Sequence, residues 1–331
     1  MSVVLKRTFI GIGLLAVLAG WLFLDYWVDG SNALGKLSHG LPFTILVLII
    51  ANLTVFEVVR MIRKRGIDVH LPLLMLSVTI MIIGGFFVGQ KSMDTEFSGF
   101  SMNSLADLDF QTINPETKQE ILKIAVIQPT PLCLMILLGL PFFYSFFIIV
   151  KTLFGSGDYN SRMMTIVMSI FTFALVGIPY TLSIFVRAIP FFGLKLIILI
   201  ILASRIGDSG AFFVGKALGK IKAIPQISPN KTIEGCIGGL LTSVLIGVLL
   251  AFVFDLGVIF NMNNLNAGAL MGFVIGFTAQ IADLLSSLIK RWAEVKDSSN
   301  LLPHFGGILD LTDNFILTLP VLYIILLIIW L

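Results

Sequence analysis

Five aspartates carry the chemical interest of this chain: Asp208, Asp283, Asp297, Asp310 and Asp313. They stand among the cations Lys231, Lys290, Arg291 and Lys296, in three polar stretches of an otherwise apolar sequence: "SRIGDSGAFFVGKALGK" (204–220), "ISPNKTIEGCIGG" (227–239) and "SSLIKRWAEVKDSSNLLPHFGGILDLTDN" (286–314). Asp283 follows an apolar run and lies about two helical turns, ~10 Å, before Lys290 and Arg291. A carboxylate at that depth in a membrane is costly, which makes it a functional candidate. Asp310 and Asp313 are spaced to share a helical face just ahead of the last apolar run. Gly306-Gly307 lets the backbone turn tightly and bring those carboxylates back toward Asp283. Such an oxygen-lined site suits Mg²⁺, and a ring of cations around it suits phosphoryl or nucleotidyl transfer. The competing reading is a set of snorkelling charges that pair with one another. It accounts poorly for five separated acids on one side of a membrane.

The other two stretches divide differently. Lys216 and Lys220 read as snorkelling lysines on one face of a helix leaving the membrane, which leaves Asp208 unexplained. Ser228-Pro229-Asn230 is a turn signal, and Thr232 can cap the helix that follows. Lys231 and that helix N-terminus together offer a phosphate a cation, backbone N–H groups and a favourable dipole. Glu234 fits as an ordinary first-turn acid, and by itself this stretch is accounted for by a capped helix start.

The elements that must position these residues are membrane helices. The 331 residues are 57% hydrophobic and 12% charged, with mean hydropathy +1.01, against about 25% charged for a soluble domain. Nine apolar runs approach the roughly 20 residues needed to cross a bilayer, near 8–28, 42–60, 71–89, 129–150, 163–186, 188–204, 235–255, 267–289 and 314–331. The fold expected is all-α and polytopic, with about nine spans, or eight if the fifth and sixth are one. The first run exceeds a signal-peptide core and no cleavage motif follows, so it reads as a retained helix. Cys133 and Cys236 have no metal-binding spacing and read as two buried thiols. The acidic loop 90–128 contains a segment, Pro115 to Ile127, that can form an interfacial amphipathic helix with Asn114 as its N-cap; a solvated loop is the plainer alternative. The organisation expected is residues 1–128 as N-terminal spans plus that loop, and 129–331 as the catalytic region.

With the N-terminus inside, sixteen of the 22 Lys and Arg fall on the cytoplasmic side, "RKRG" (63–66) among them as a topology anchor. The positive-inside rule therefore favours N-in and C-out. It puts 205–234 and 290–313 on the cytoplasmic face of a plasma (cell inner) membrane, where soluble nucleotides are present. Nothing in the composition points to nucleic acid, and a homodimer is compatible with the sequence.

The polar blocks also carry a resemblance. D-L-x-x-S-x-x-K-R-x(4)-K-D-x-x-x-x-L-P followed by G-G-[apolar]-x-D-x-x-D, with "DSGAFFVGKALGK" and "SPNKTIEGCIGG" upstream, resembles the signature of the phosphatidate cytidylyltransferase (CDP-diacylglycerol synthase) family. The blocks cover most of 204–315 in the family's order. Departures are Ser286 where the family has Glu, His304-Phe305 where it has Gly-His, and Leu311 where it has Arg. The resemblance implies CTP and phosphatidate as substrates and Mg²⁺ as cofactor. It implies Asp283 and Asp310 as metal ligands and catalytic residues together with Lys290 and Arg291. Substrate binding would fall to Asp208, Ser228, Lys231, Thr232, Glu234, Lys296, Asp297, Gly306, Gly307 and Asp313. Two other readings stay open: a membrane transferase or kinase for an ether or polyprenyl lipid, and a transporter whose Asp283 binds a cation.

Overall fold

The computed structural model describes residues 3–31, 39–93, 96–97, 100–101, 115–127, 130–153, 158–299, 301 and 306–331. Apolar runs fold as helices because a backbone without water must satisfy its own N–H and C=O groups. Eight helices among the described residues are long and apolar enough to cross a membrane, in keeping with the expected all-α polytopic class. The spans expected fifth and sixth are two helices, separated at 188–192 around Phe191, whose φ is 62°.

The chain forms two compact units. The first, Met1–Lys91, Pro131–Ala188 and Trp292–Thr312, holds α1 (Val3–Ser31), α2 (Leu41–Lys64), α3 (Leu71–Met93), most of the helix Thr130–Leu153, and the helix Tyr159–Arg187. With the helix α4 (Pro115–Ile127) numbered between them, the last two are α5 and α6. The core of this unit is α2 against α6, and Val55, Val58 and Ile62 of α2 and Phe173, Val176 and Tyr180 of α6 are fully or nearly fully buried. Arg187, near the end of α6, is buried with Asp25 and Asp29 of α1 as its partners; its Nε donates to Asp25 Oδ2 at 2.6 Å.

The second unit, Ser92–Thr130, Ile189–Arg291 and Asp313–Leu331, holds two two-residue strands, β1 (Glu96–Phe97) and β2 (Phe100–Ser101), paired antiparallel. It also holds α4, whose span coincides with the segment picked out by sequence; Asn114, its expected cap, lies outside the described residues. α7 (Gly193–Leu218) runs fourteen residues past the expected end of its apolar stretch, which bears out the helix expected to leave the membrane there as far as Leu218. Lys216 is inside this helix and Lys220 beyond it. A hairpin of β3 (Lys222–Ile224) and β4 (Ser228–Thr232) then leads into α8 (Ile233–Phe254) and α9 (Asn264–Trp292).

Small residues bring α7 and α8 together, as in many membrane interfaces. A Cβ on Gly239 would stand 2.8 Å from Ala211 Cβ, and Ser243 Oγ donates to Ala203 O at 3.0 Å. α8 meets α9 the same way, with Gly272 so near Val244 that a Cβ would lie 2.6 Å from its Cα. This packing holds the polar ends of α7 and α9 in fixed register. Two further helices complete the chain: α10 (Ile308–Thr312), which packs on α2 in the first unit, and α11 (Phe315–Trp330) in the second.

Candidate active site

Ser228-Pro229-Asn230, expected as a turn, lies in strand β4; the reversal falls at 225–227, where Ile227 N donates to Ile224 O at 3.2 Å. A two-stranded ribbon is all edge, so Pro229 is tolerated there. The strand ends at Thr232, which caps α8 as expected: its Oγ1 accepts from Gly235 N at 3.2 Å. Glu234 in the first turn accepts from Ile221 N at 3.3 Å and ties the hairpin to the helix. The backbone thus fixes where the neighbouring Lys231 side chain begins.

Lys231 forms an ion pair with Asp283 of α9. Both are half-buried, at 26% and 32% side-chain exposure, so the pair is neither solvated away nor sealed in. Near it lie two further acids of the second unit, Asp208 and Asp313. Asp208 on α7 is 3.6 Å from Arg205, one turn earlier, and accepts from Asn314 Nδ2 at 3.4 Å. Asp313, 4% exposed, accepts from Asn314 N at 2.8 Å and stands 3.9 Å from Arg205. The charges of Asp208, Asp283 and Asp313 act on one another, and those of Lys231 and Lys290 act on the cluster. Asn314 Oδ1 and Ser286 Oγ are buried with no hydrogen-bond partner among the described residues. A buried acceptor in that condition costs about 1–3 kcal/mol, so it is a position for a donor from a ligand or water. Arg291 is exposed, its Nε donating to Ile227 O at 3.4 Å.

The first unit holds a different assembly. Asp310 Oδ2 accepts from Ser298 N at 3.0 Å, Ser298 Oγ at 2.8 Å and Gly307 N at 3.0 Å. Asp297 and Lys296 are exposed just before it. Gly306 has φ +86°, the left-handed conformation that favours glycine, and a Cβ on Gly307 would fall onto Ser298 Oγ and the Glu57 carboxylate. Asp310 lies in α10, which ends at Thr312, and Asp313-Asn314 forms a turn before α11. His304 and Phe305 lie outside the described residues.

Thus Asp208, Lys231, Asp283 and Asp313 stand together, and Asp310 stands with Gly306 and Gly307. Three contributors escaped the sequence reading. Arg205 was counted only for topology, Asn314 was hidden behind two aspartates, and Glu57 sits in an apolar helix far upstream. A lone glutamate in "LTVFEVVR" was a visible signal, by the same reasoning applied to Asp283.

The cytidylyltransferase family model matches residues 26–329. The chain belongs to the cytidylyltransferase family. Within the family it is 30% identical over 313 residues to a phosphatidate cytidylyltransferase of Bacillus subtilis (strain 168), covering 95% of this chain and 96% of that protein. Phosphatidate cytidylyltransferases of Staphylococcus haemolyticus and Staphylococcus aureus (strain COL) are 42% and 41% identical over 134 and 136 residues. Those two matches cover 40% of this chain and 50% of each relative. The family match takes in Glu57, the hairpin, the α7–α9 acids and Asp310 alike.

A family that handles a nucleoside triphosphate needs cations for phosphate and hard oxygens for a divalent ion. Among the described residues no three His, Cys, Asp or Glu side chains gather as a metal cage. Mg²⁺ asks for less: one or two carboxylates, with water and substrate phosphates completing the octahedron. Asp283 is paired with Lys231 and Asp310 Oδ2 already accepts three hydrogen bonds, so each carboxylate could offer such an ion one oxygen, with phosphate and water supplying the rest.

Proposed function

We infer that this chain joins CTP and phosphatidate to give CDP-diacylglycerol and pyrophosphate, as a multi-pass membrane enzyme of phospholipid synthesis. The observation that carries the reading is the family match over 26–329, which takes in the Lys231–Asp283 cluster and the Asp310 assembly alike. Whole-length similarity to a phosphatidate cytidylyltransferase supports it.

In the reaction a phosphate oxygen of phosphatidate attacks the α-phosphorus of CTP. A new P–O bond forms, the bond to the bridging oxygen breaks, and pyrophosphate leaves. The attacking oxygen is already anionic, so no strong general base is needed, and catalysis reduces to positioning and charge stabilisation. Lys231, Lys290, Arg291 and Lys296 bind phosphates, and Arg205 joins them. Asp208 and Asp313, aligned by Asn314, set the orientation of Arg205. Thr232, Ser228 and Glu234 hold the Lys231 strand, and Gly306 and Gly307 let the backbone approach a phosphate closely. Asp283 in the second unit and Asp310 in the first are each assigned as a carboxylate that would hold Mg²⁺. When bound, the ion supplies charge neutralisation on the triphosphate and the leaving pyrophosphate.

The excess of Lys and Arg on one side supports an N-terminus and a reaction site at the cytoplasmic face of the plasma membrane. CTP arrives there from solution and phosphatidate from the bilayer.

The test is purified protein with phosphatidate, Mg²⁺ and CTP labelled at either the α- or the γ-phosphate. Lipid labelled from the α-position only is expected. Lipid labelled from the γ-position would replace this reading with a kinase, and no labelled lipid from either would remove it.

A further inference from the structure

Glu57 is completely buried, about two turns before the C-terminal end of the long apolar helix α2. Its partners show why it is there. Oε1 accepts from Ser299 Oγ at 2.6 Å and from Ile308 N at 2.8 Å. Oε2 accepts from Ser298 Oγ at 2.9 Å and from Leu309 N at 2.9 Å. Each oxygen therefore takes one hydroxyl and one backbone amide. The hydroxyls come from Ser298 and Ser299 and the amides from Ile308 and Leu309, so a single carboxylate ties 298–299 to 308–309. Ser298 Oγ also touches Asp310 Oδ2, which accepts from Gly307 N as well. Glu57 is thus one bond removed from the carboxylate we assign to the metal.

A second support meets the same turn from α6. Tyr180 OH donates to Thr312 Oγ1 at 2.6 Å and lies 3.2 Å from Thr54 Oγ1, one turn before Glu57 on α2. The turn Ile308–Thr312 is held at its start by Glu57 and at its end by Tyr180. A five-residue helix cannot hold its own geometry, because helix nucleation is unfavourable and short helices rely on tertiary contacts.

We propose that Glu57 is a positioning residue for the transfer reaction: it ties Ser298 and Ser299 to the start of the turn Ile308–Thr312 so that Asp310 and Gly307 are presented in one geometry. The inference rests on the cytidylyltransferase reading of Asp310. It explains why a charge is kept in an apolar helix, where a buried carboxylate is tolerated only if its oxygens are satisfied. It also makes a sharp chemical distinction. Serine hydroxyls can rotate to give or accept, but amides 308 and 309 only donate. A glutamine at 57, in either flip, must turn its NH₂ toward one of those two N–H groups.

The test uses the full-length protein in lipid nanodiscs, with Glu57→Gln and, as a milder lesion, Ser299→Ala. Turnover per folded molecule and amide hydrogen exchange across 306–312 are measured together. For Glu57→Gln we expect kcat to fall about tenfold or more and exchange at 308–309 to speed up by a similar factor, since one charge-assisted bond is lost and one amide is orphaned. Exchange in α7 and α8 should stay as in the wild type. Ser299→Ala should shift both readouts the same way, by less. Unchanged kcat in Glu57→Gln overturns the proposal, as does a loss of activity that tracks only the folded fraction. If Glu57→Gln does not fold, Ser299→Ala decides: wild-type kcat and exchange there overturn it equally. A wild-type protein that makes no labelled lipid removes the reaction reading. The exchange arm would then still report separately whether Glu57 clamps the turn.

Discussion

Lys231 and Asp283 form an ion pair between the end of a β-ribbon and the middle of a membrane helix. The lysine is the counter-charge of an aspartate that membrane burial would otherwise penalise. In the reaction proposed for this chain the same lysine would bind a triphosphate, which would compete with Asp283 for it. Lys231→Met should therefore cut kcat/KM for CTP by roughly 10²-fold, in line with loss of one preorganised charge. If Lys231 serves only to neutralise Asp283, Lys231→Met in an Asp283→Asn background will cost nothing further in CTP affinity. We expect an additional loss in CTP binding, measured by titration of the inactive double variant.

Asp283→Asn and Asp310→Asn should each abolish turnover while the protein still inserts and folds. The amide keeps the shape and removes the charge that a divalent ion needs. Chelation of divalent ions should silence the wild type, and Mg²⁺ should restore it. Turnover that persists in excess chelator would remove the metal assignment for both residues.

The glycine pair separates two kinds of constraint. Gly307 has no room, since a Cβ would fall onto Ser298 Oγ and the Glu57 carboxylate. Gly306 has a positive φ of 86° and a Cβ there would crowd Asp310. Gly307→Val should lose activity by about 10³-fold or more, because the clash displaces the loop that holds Asp310. His304→Ala should stay within about tenfold of wild type. A crippled His304→Ala beside an active Gly307→Val would mean the imidazole, not the backbone, does the work in this loop.

Much of this arrangement was legible from residue types and spacing. Span lengths, the helix Pro115–Ile127 and the Thr232 cap follow from hydropathy and local hydrogen-bonding chemistry, which act over a few residues. What was not legible depends on tertiary pairing. Ser228-Pro229-Asn230 has turn composition, yet pairing with Lys222–Ile224 makes it a strand. The bond between Glu57 and Ser299 spans 242 residues, and no local pattern encodes it.

Arg187 tests the first unit independently of catalysis. It is buried with Asp25, itself fully buried, and with Asp29, whose Oδ1 accepts from Gly40 N at 2.9 Å. Removing the cation strands two acids, one with no access to solvent. Arg187→Ala should cost about 3–5 kcal/mol of stability, as broken buried pairs do. Thermal unfolding in detergent checks this. A midpoint unchanged from wild type would show that α1 is not held through this triad.

Orientation is the last prediction, and the structure dictates where to probe it. Ser299 is a poor labelling site, because it is 7% exposed and its hydroxyl is bonded to Glu57. Asn230 in the ribbon and Lys296 after α9 are exposed and lie in the segments predicted to be cytoplasmic. A single cysteine at either position, in a background lacking Cys133 and Cys236, should resist an impermeant thiol reagent in intact cells. Each should label once the membrane is opened. Sixteen of the 22 Lys and Arg support this side, and each charge moved across a bilayer during insertion is opposed by the same bias that sets topology. Ready labelling of both positions from outside would invert the chain. It would also place the phosphate-binding cations where CTP from the cytosol cannot reach them, so the orientation and the reaction stand or fall on the same measurement.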